Sequence, residues 1–310
     1  MDISVFGLLS DAADQDPVDA VVANLAMLRD EGFRRVWMGQ WPMDLDLLTI
    51  LAAAMREIDT IEVASGVVPI QNQHPMLLAQ RALALSVISG GRFSLGVGLT
   101  HAVVSEEWWG IPWDRPIRRL NEYLDGLQPL LAGEEVAAVG ETVTARGSIA
   151  SGPAQPVEVY VAALGPKMLQ LAGRRTSGTF TWMTGPETLS TYVGPAIRGA
   201  AALAGRPAGS ARVVAGLPIV VTDDVDGTLK HAADHLAFYG TLPSYRKMLD
   251  REGLTGPEDV AIVGDETAVG AKLDELREAG VDEFVAVLIG ESAEVRQRTR
   301  AALREYGGRG

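Results

Sequence analysis

The stretch VEVYVAALGPKMLQLAGRRTSGTFTWMTGPE, residues 157–187, holds one complete structural unit and the start of the next. An apolar run (157–164) stops at Gly165, and Pro166 stands where a helix would begin. A second β-rich run (178–183) stops before Thr184, Gly185 and Pro186, repeating the arrangement. Proline is accepted in the first helical turn because its missing N–H has no partner there, so each Gly-Pro pair reads as strand, turn, helix start. Near-continuous apolar strands that alternate with helices belong to a parallel sheet covered by helices.

The same alternation runs through the chain. β-rich runs recur at 3–9, 34–39, 61–69, 92–98, 157–164, 178–183, 212–221 and 282–289, eight in all. Between them apolar residues return at helical spacing, as at Leu45, Leu48, Ala52 and Met55, or at Val269, Leu273 and Leu276 before the helix-stop Gly280. Eight strand–helix units in 310 residues predict an α/β fold of the (β/α)8 TIM-barrel type, a single domain over 1–310. Two connections are too long for a plain unit and read as insertions after strands 4 and 7, at about 101–156 and 239–260. The first is expected to hold a helix around Arg118 to Leu131, a small hairpin in EEVAAVGETVTARGSI (134–149) and a Gly/Pro-rich return. The second holds LPSYRKMLDREG (242–253), a short helix with Pro243 near its start.

Composition narrows the partners. A hydrophobic content of 47% is enough for a large core, and a formal charge of −13 without a segregated basic patch argues against nucleic acid and anionic membrane. The absence of cysteine removes disulfides, thiolate metal sites and cysteine nucleophiles. The opening MDISVFGLLS reads as a strand rather than a signal peptide, and no run has the length of a membrane span, so a cytoplasmic location is the expectation.

In a parallel barrel the carboxyl ends of the strands build the active site. Those ends offer Gly39, Gln40 and Trp41; Pro69, Ile70 and Gln71; Gly98, Thr100 and His101; Gly165, Pro166 and Lys167; Thr184 and Gly185; and Asp223. The set is rich in glycine, amide, hydroxyl and indole groups and poor in acids, and it contains no metal-ligand spacing. Free N–H groups at the Gly165-Pro166 helix start, with Lys167 beside them, form an anion site in principle. TGPE (184–187) reads as a second helix start with Thr184 as N-cap and Glu187 at the capping-box position. GVG at 96–98 lacks the third glycine of a dinucleotide fingerprint, leaving two readings: room for a flat ligand, or a strand bend. His101 follows as a loop histidine or an acid/base group. The tryptophans Trp37, Trp41, Trp108, Trp109, Trp113 and Trp182 suggest an apolar pocket for a planar ligand, with core and lid packing as the competing view.

The stretches SGGRFSLGVG (89–98), SGVVPIQNQHP (65–75), YVAALGPKMLQLAGRRTSGTFTW (160–182) and IVGDETAV (262–269) together resemble the bacterial luciferase-like superfamily, more closely its F420-dependent oxidoreductase branch. The resemblance spans essentially the whole chain and implies a barrel, commonly dimeric, that binds coenzyme F420 or FMN at the carboxyl ends of its strands. It implies a phosphate site at Ala163, Leu164, Gly165 and Pro166, aided by Lys167, Thr184 and Gly185. It also implies a bulge with a non-prolyl cis peptide at Ser65, Gly66 and Val67 backing the ring, with Gly98 and Thr100 nearby. Similar enzymes carry Asp-His where this chain has Gln40 and Trp41, and a glutamate where it has His101. His101 is therefore the remaining titratable candidate for proton transfer, with Gln40 and Trp41 lining the substrate side. The reaction implied is hydride transfer between the deazaflavin C5 and a small organic substrate, in a cytoplasmic homodimer. An FMN-dependent monooxygenase, a metal-assisted hydrolase pairing His101 with Asp223, and a non-catalytic cofactor-binding protein are the alternatives.

Overall fold

The computed structural model of the chain describes residues 1–9, 16–150 and 155–308. Every expected β-rich run forms a strand. They are β1 (Asp2–Leu8), β2 (Arg35–Gly39), β3 (Glu62–Ser65) with β4 (Val68–Pro69), β5 (Phe93–Gly98), β8 (Val159–Ala162), β9 (Gly178–Trp182), β10 (Arg212–Val221) and β12 (Glu283–Leu288). The expected hairpin is β6 (Val136–Val139) paired antiparallel with β7 (Thr144–Gly147). A three-residue strand, β11 (Ile262–Gly264), adds to β10 beyond what the alternation announces. The Gly/Pro-rich return after the hairpin falls largely at 151–154, outside the described residues. Among the described residues no helix is long and apolar enough to cross a membrane.

Two compact units divide the chain. One comprises Gly7–Asp30 and Arg34–Ala162. Its sheet is parallel, with Arg35 of β2 opposite Glu62 of β3, Val63 opposite Phe93 of β5, and Leu95 opposite Val159 of β8. The other comprises Met1–Phe6, Glu31–Phe33 and Ala163–Gly310. Its parallel sheet sets Gly178 of β9 opposite Arg212 of β10, Val214 opposite Glu283 of β12, and Glu283 opposite Asp2 of β1. Each of the eight principal strands is followed by a helix, from Pro17–Asp30 after β1 to Ala293–Gly307 after β12. The fold is thus of the (β/α)8 TIM-barrel class, with the hairpin after β5 and the helix Pro243–Glu252 after β10 as the inserted pieces. Leu45 departs from its expected place: the helix begins at Leu47, and Leu45 is exposed in the preceding loop.

Strand β5 shows what the two glycines of GVG are for. All six of its residues are buried. The chain between β3 and β4 bulges toward it, with the Gly66–Val67 peptide bond cis. The Ser65 hydroxyl donates to the Gly96 carbonyl at 2.9 Å and accepts from the Gly96 N–H at 2.9 Å, while the Gly66 N–H donates to the Met38 carbonyl at 2.7 Å. A Cβ on Gly96 would run into the Ser65 carbonyl oxygen, and one on Gly98 would lie 2.7 Å from Val67 Cγ2. The missing side chains make room for the neighbouring bulge, a steric reason for glycine at these two positions. Arg92 fixes the start of the same strand by donating to the carbonyls of Ile61, Ile58 and Met55 at 2.7, 2.8 and 3.2 Å.

Two buried charged groups in the other unit are similarly matched. Glu283, almost fully buried in β12, accepts from the Ser4 hydroxyl at 2.6 Å and lies 3.6 Å from Arg212. Arg300 of the last helix makes a forked pair with Glu31 at 2.7 and 3.0 Å, a geometry that adds direction as well as charge.

Two glycine substitutions separate contact from propensity. Gly96→Ala must displace backbone and is expected to lower unfolding stability by about 3 kcal/mol. Gly270 lies inside the helix Glu266–Glu278 with open space where a Cβ would stand, so Gly270→Ala is expected to raise stability by about 0.5–1 kcal/mol. Urea unfolding midpoints check both, and a neutral Gly96→Ala contradicts the packing described.

Candidate functional site

The candidate residues fall into two groups, one in each unit. In the unit containing β2, β3 and β5, Gln40 follows β2 directly. Its amide donates to the carbonyls of Trp41 and Leu45 at 2.9 and 3.2 Å, and accepts from the Leu47 N–H at 2.7 Å. Both ends of the amide are thereby engaged in shaping the loop 41–46. Gln40 is a brace for that loop. Trp41, which the brace carries, is 44% exposed. Ser65, Gly66 and Val67 form the bulge described above, and Gln71, buried behind it, accepts from the Thr100 N–H at 3.2 Å.

His101 comes directly after β5 and Thr100, at the start of a loop that leads into a wide helical turn at Val104–Trp108. Its carbonyl accepts the Ser105 N–H at 3.0 Å. The ring is half-buried, and that burial pushes its pKa below the usual histidine range. Desolvation disfavours the imidazolium, so the ring is a neutral base at neutral pH. Of the tryptophans expected around a pocket, Trp37 is a core residue, edge-on to Tyr160 with ring centroids 5.3 Å apart, whereas Trp108 is 55% exposed and Trp109 and Trp113 are half-buried.

In the other unit, two helix starts that look alike in sequence differ in structure. At the first, Ala163 is buried and its carbonyl accepts from the Thr179 hydroxyl at 3.2 Å. Gly165 is the N-cap of the helix Pro166–Arg175, with no side chain capping it. The first intrahelical bond runs from the Leu169 N–H to the Gly165 carbonyl, so the N–H groups of Lys167 and Met168 precede it. A Cβ on Gly165 would meet open space. Leu164, Gly165 and Pro166 line a cavity of about 510 Å³ together with Tyr192, Lys247 and Arg251.

At the second helix start the N-cap is Gly185, not Thr184, whose hydroxyl donates instead to the Trp182 carbonyl at 3.2 Å. The N–H groups of Glu187 and Thr188 are taken by the two carboxylate oxygens of Glu252, at 2.9 and 2.8 Å. A Cβ on Gly185 would collide with that carboxylate. The expected capping box therefore does not form, because a long-range acid occupies the donors that Thr184 and Glu187 would have served.

Sequence reasoning missed Lys247, Arg251 and Glu252, all on the inserted helix Pro243–Glu252. Its available signal was the spacing of Lys247 and Arg251, four residues apart and therefore on one face. Asp223, the carboxylate that a hydrolase reading pairs with His101, is bound through both oxygens to Arg298 at 3.1 Å each. Among the described residues no three His, Cys, Asp or Glu side chains gather to hold a metal ion.

Comparison with known proteins places this arrangement. The chain is 27% identical over 255 residues to a 5,10-methylenetetrahydromethanopterin reductase of Methanolobus tindarius, covering 82% of this chain and 77% of that protein. It is 30% identical over 218 residues to an F420-dependent glucose-6-phosphate dehydrogenase of Nakamurella multipartita, covering 65% and 63% of the two chains. The solved structure of the coenzyme F420-dependent tetrahydromethanopterin reductase of Methanopyrus kandleri superposes with a TM-score of 0.81 at 22% identity, covering 99% of this chain and 97% of that one. The model of the luciferase-like monooxygenase family matches residues 3–310, and the chain belongs to that family.

Proposed function

We propose that this protein is an F420-dependent oxidoreductase acting on a small organic substrate. The observation that carries the reading is the open helix start at Gly165, Pro166 and Lys167, which borders a cavity lined by cationic side chains and suits the acidic end of that coenzyme. The names of the relatives support the same cofactor. When bound, F420 supplies hydride chemistry at C5 of its deazaflavin. Ala163, Leu164, Gly165 and Pro166 hold the phosphate, with Lys167 adding charge. Thr184 and Gly185 close the neighbouring turn, where Glu252 already serves the free N–H groups. Ser65, Gly66 and Val67 back the ring, and Gly98 and Thr100 flank it on β5 and its loop.

On the substrate side, Trp41 gives an apolar wall that Gln40 holds in place. His101 is the proton-transfer group. As a neutral imidazole it accepts the proton released when a substrate is oxidised, and returns it in the reverse direction. We read residues 1–310 as one catalytic domain. We assign the protein to a homodimer, as its resemblance to the family implies.

Four outcomes are expected. Fluorescence titration of the purified protein shows saturable binding of F420, with FMN at least about 100-fold weaker, a gap of close to 3 kcal/mol; the opposite order makes the protein an FMN enzyme. His101→Asn lowers kcat by about 100-fold with the F420 dissociation constant unchanged. In the wild type the rate of substrate oxidation is flat at neutral pH and falls as pH drops below about 6.5, because protonation removes the base and burial holds its pKa under the ordinary value. Unchanged turnover in the variant removes His101 from the mechanism. Sedimentation gives a dimer; a wild-type monomer contradicts that assignment.

A further inference from the structure

We infer that Lys247 and Arg251 of the inserted helix form a cationic subsite that binds an extended acidic group, phosphate or carboxylate, in the cavity that the Gly165 helix start borders. The inference rests on the proposed cofactor reading for one source of that group but not for the existence of the subsite. Ser244 and Met248, and likewise Lys247 and Arg251, stand four residues apart, and all four line the cavity, so one side of the helix looks into it. The same cavity is bordered by the start of the helix Pro166–Arg175, whose N–H groups and dipole favour negative charge.

The charges on this face are not spent elsewhere. Among the described residues neither Lys247 nor Arg251 has a carboxylate within ion-pair distance. Asp250, the acid that also lines the cavity, is bound to Arg246 at 2.7 Å, and the remaining nitrogens of Arg246 donate to the Thr255 and Leu254 carbonyls. The cavity therefore carries two uncompensated cations. Arg251 lies 4.0 Å over the Tyr192 ring, which orients the guanidinium without neutralising it.

The helix that carries the pair is fixed from behind. Tyr245 meets Tyr239 at a ring-centroid distance of 5.4 Å, Tyr239 meets Trp182 at 5.6 Å, and Met248 and Leu249 are buried. Glu252, at the same end of the helix, is held by the N–H groups of Glu187 and Thr188. The inserted helix is thus pinned at the end where its cations stand. At about 510 Å³ the cavity exceeds what one phosphate fills and falls within the range of small-molecule sites, so the acidic group extends beyond a single anion. Two sources share this chemistry: the acidic tail of the cofactor, or an acidic substrate.

The test uses the full-length protein and the double variant Lys247→Gln/Arg251→Gln, whose substitutions are on exposed side chains and keep good helix formers. Each is titrated with F420, with the deazaflavin riboside that lacks phosphate and tail, and with inorganic pyrophosphate. The expected result is F420 bound about tenfold or more weakly by the variant, riboside affinity unchanged within twofold, and pyrophosphate competing with F420 in the wild type alone; the source is then the cofactor tail. If the variant loses pyrophosphate but keeps F420 affinity, the subsite stands and serves an acidic substrate. Equal pyrophosphate and F420 binding by the two proteins overturns the subsite while leaving the cofactor assignment intact. A wild type that binds no deazaflavin overturns the cofactor assignment, and the pyrophosphate comparison still decides the subsite.

Discussion

The close approach of the Ser65–Val67 bulge to β5 is the constraint on which the carboxyl-end geometry of its unit depends. Backbone meets backbone there: the Ser65 hydroxyl bridges both polar groups of Gly96, and Val67 occupies the space beside Gly98. Neither position tolerates a side chain, so β5 must thin to glycine at alternate residues. With the bulge held between Met38 and Gly96, the chain leaving it reaches Gln71, which in turn fixes the Thr100 N–H just before His101. A single steric fit thus places both the proposed ring-facing segment and the proposed proton-transfer group.

Electrostatics decides the other unit. Two helix starts arise from the same Gly-Pro grammar, yet one borders a cavity with no side chain capping it and the other gives its N–H groups to Glu252. A helix start is a ready anion site only when nothing in the fold has already supplied the anion. Glu252 does so at Gly185, which concentrates the capacity to bind an external anion at Gly165. The same inserted helix that plugs one site places Lys247 and Arg251 on the other. A negative chain, −13 overall, can in this way hold a positively lined cavity, because the local charge count and not the total sets the affinity for an acidic ligand.

Much of the architecture is legible in the sequence because it depends on local signals. Alternating apolar strands and helices, the Gly-Pro helix starts and the stop at Gly280 each follow from backbone chemistry within a few residues. The site is less legible where distant residues decide it. That Gly96 and Gly98 yield to a bulge depends on Ser65 and Val67, some thirty residues earlier. That Thr184 fails to cap depends on Glu252, far along the chain. The strand β11 is too short to show a period, and Lys247 and Arg251 sit in a surface helix whose charges read as ordinary solvated residues until the cavity beside them is seen.

The central claim, that the Gly165 helix start receives the acidic end of a deazaflavin cofactor, is tested most directly by backbone amide chemical shifts during titration with F420. The account predicts that the N–H signals of Lys167 and Met168 move to saturation while those of Glu187 and Thr188, already bound to Glu252, stay in place. Movement at Glu187 and Thr188 with none at Lys167 and Met168 would contradict it.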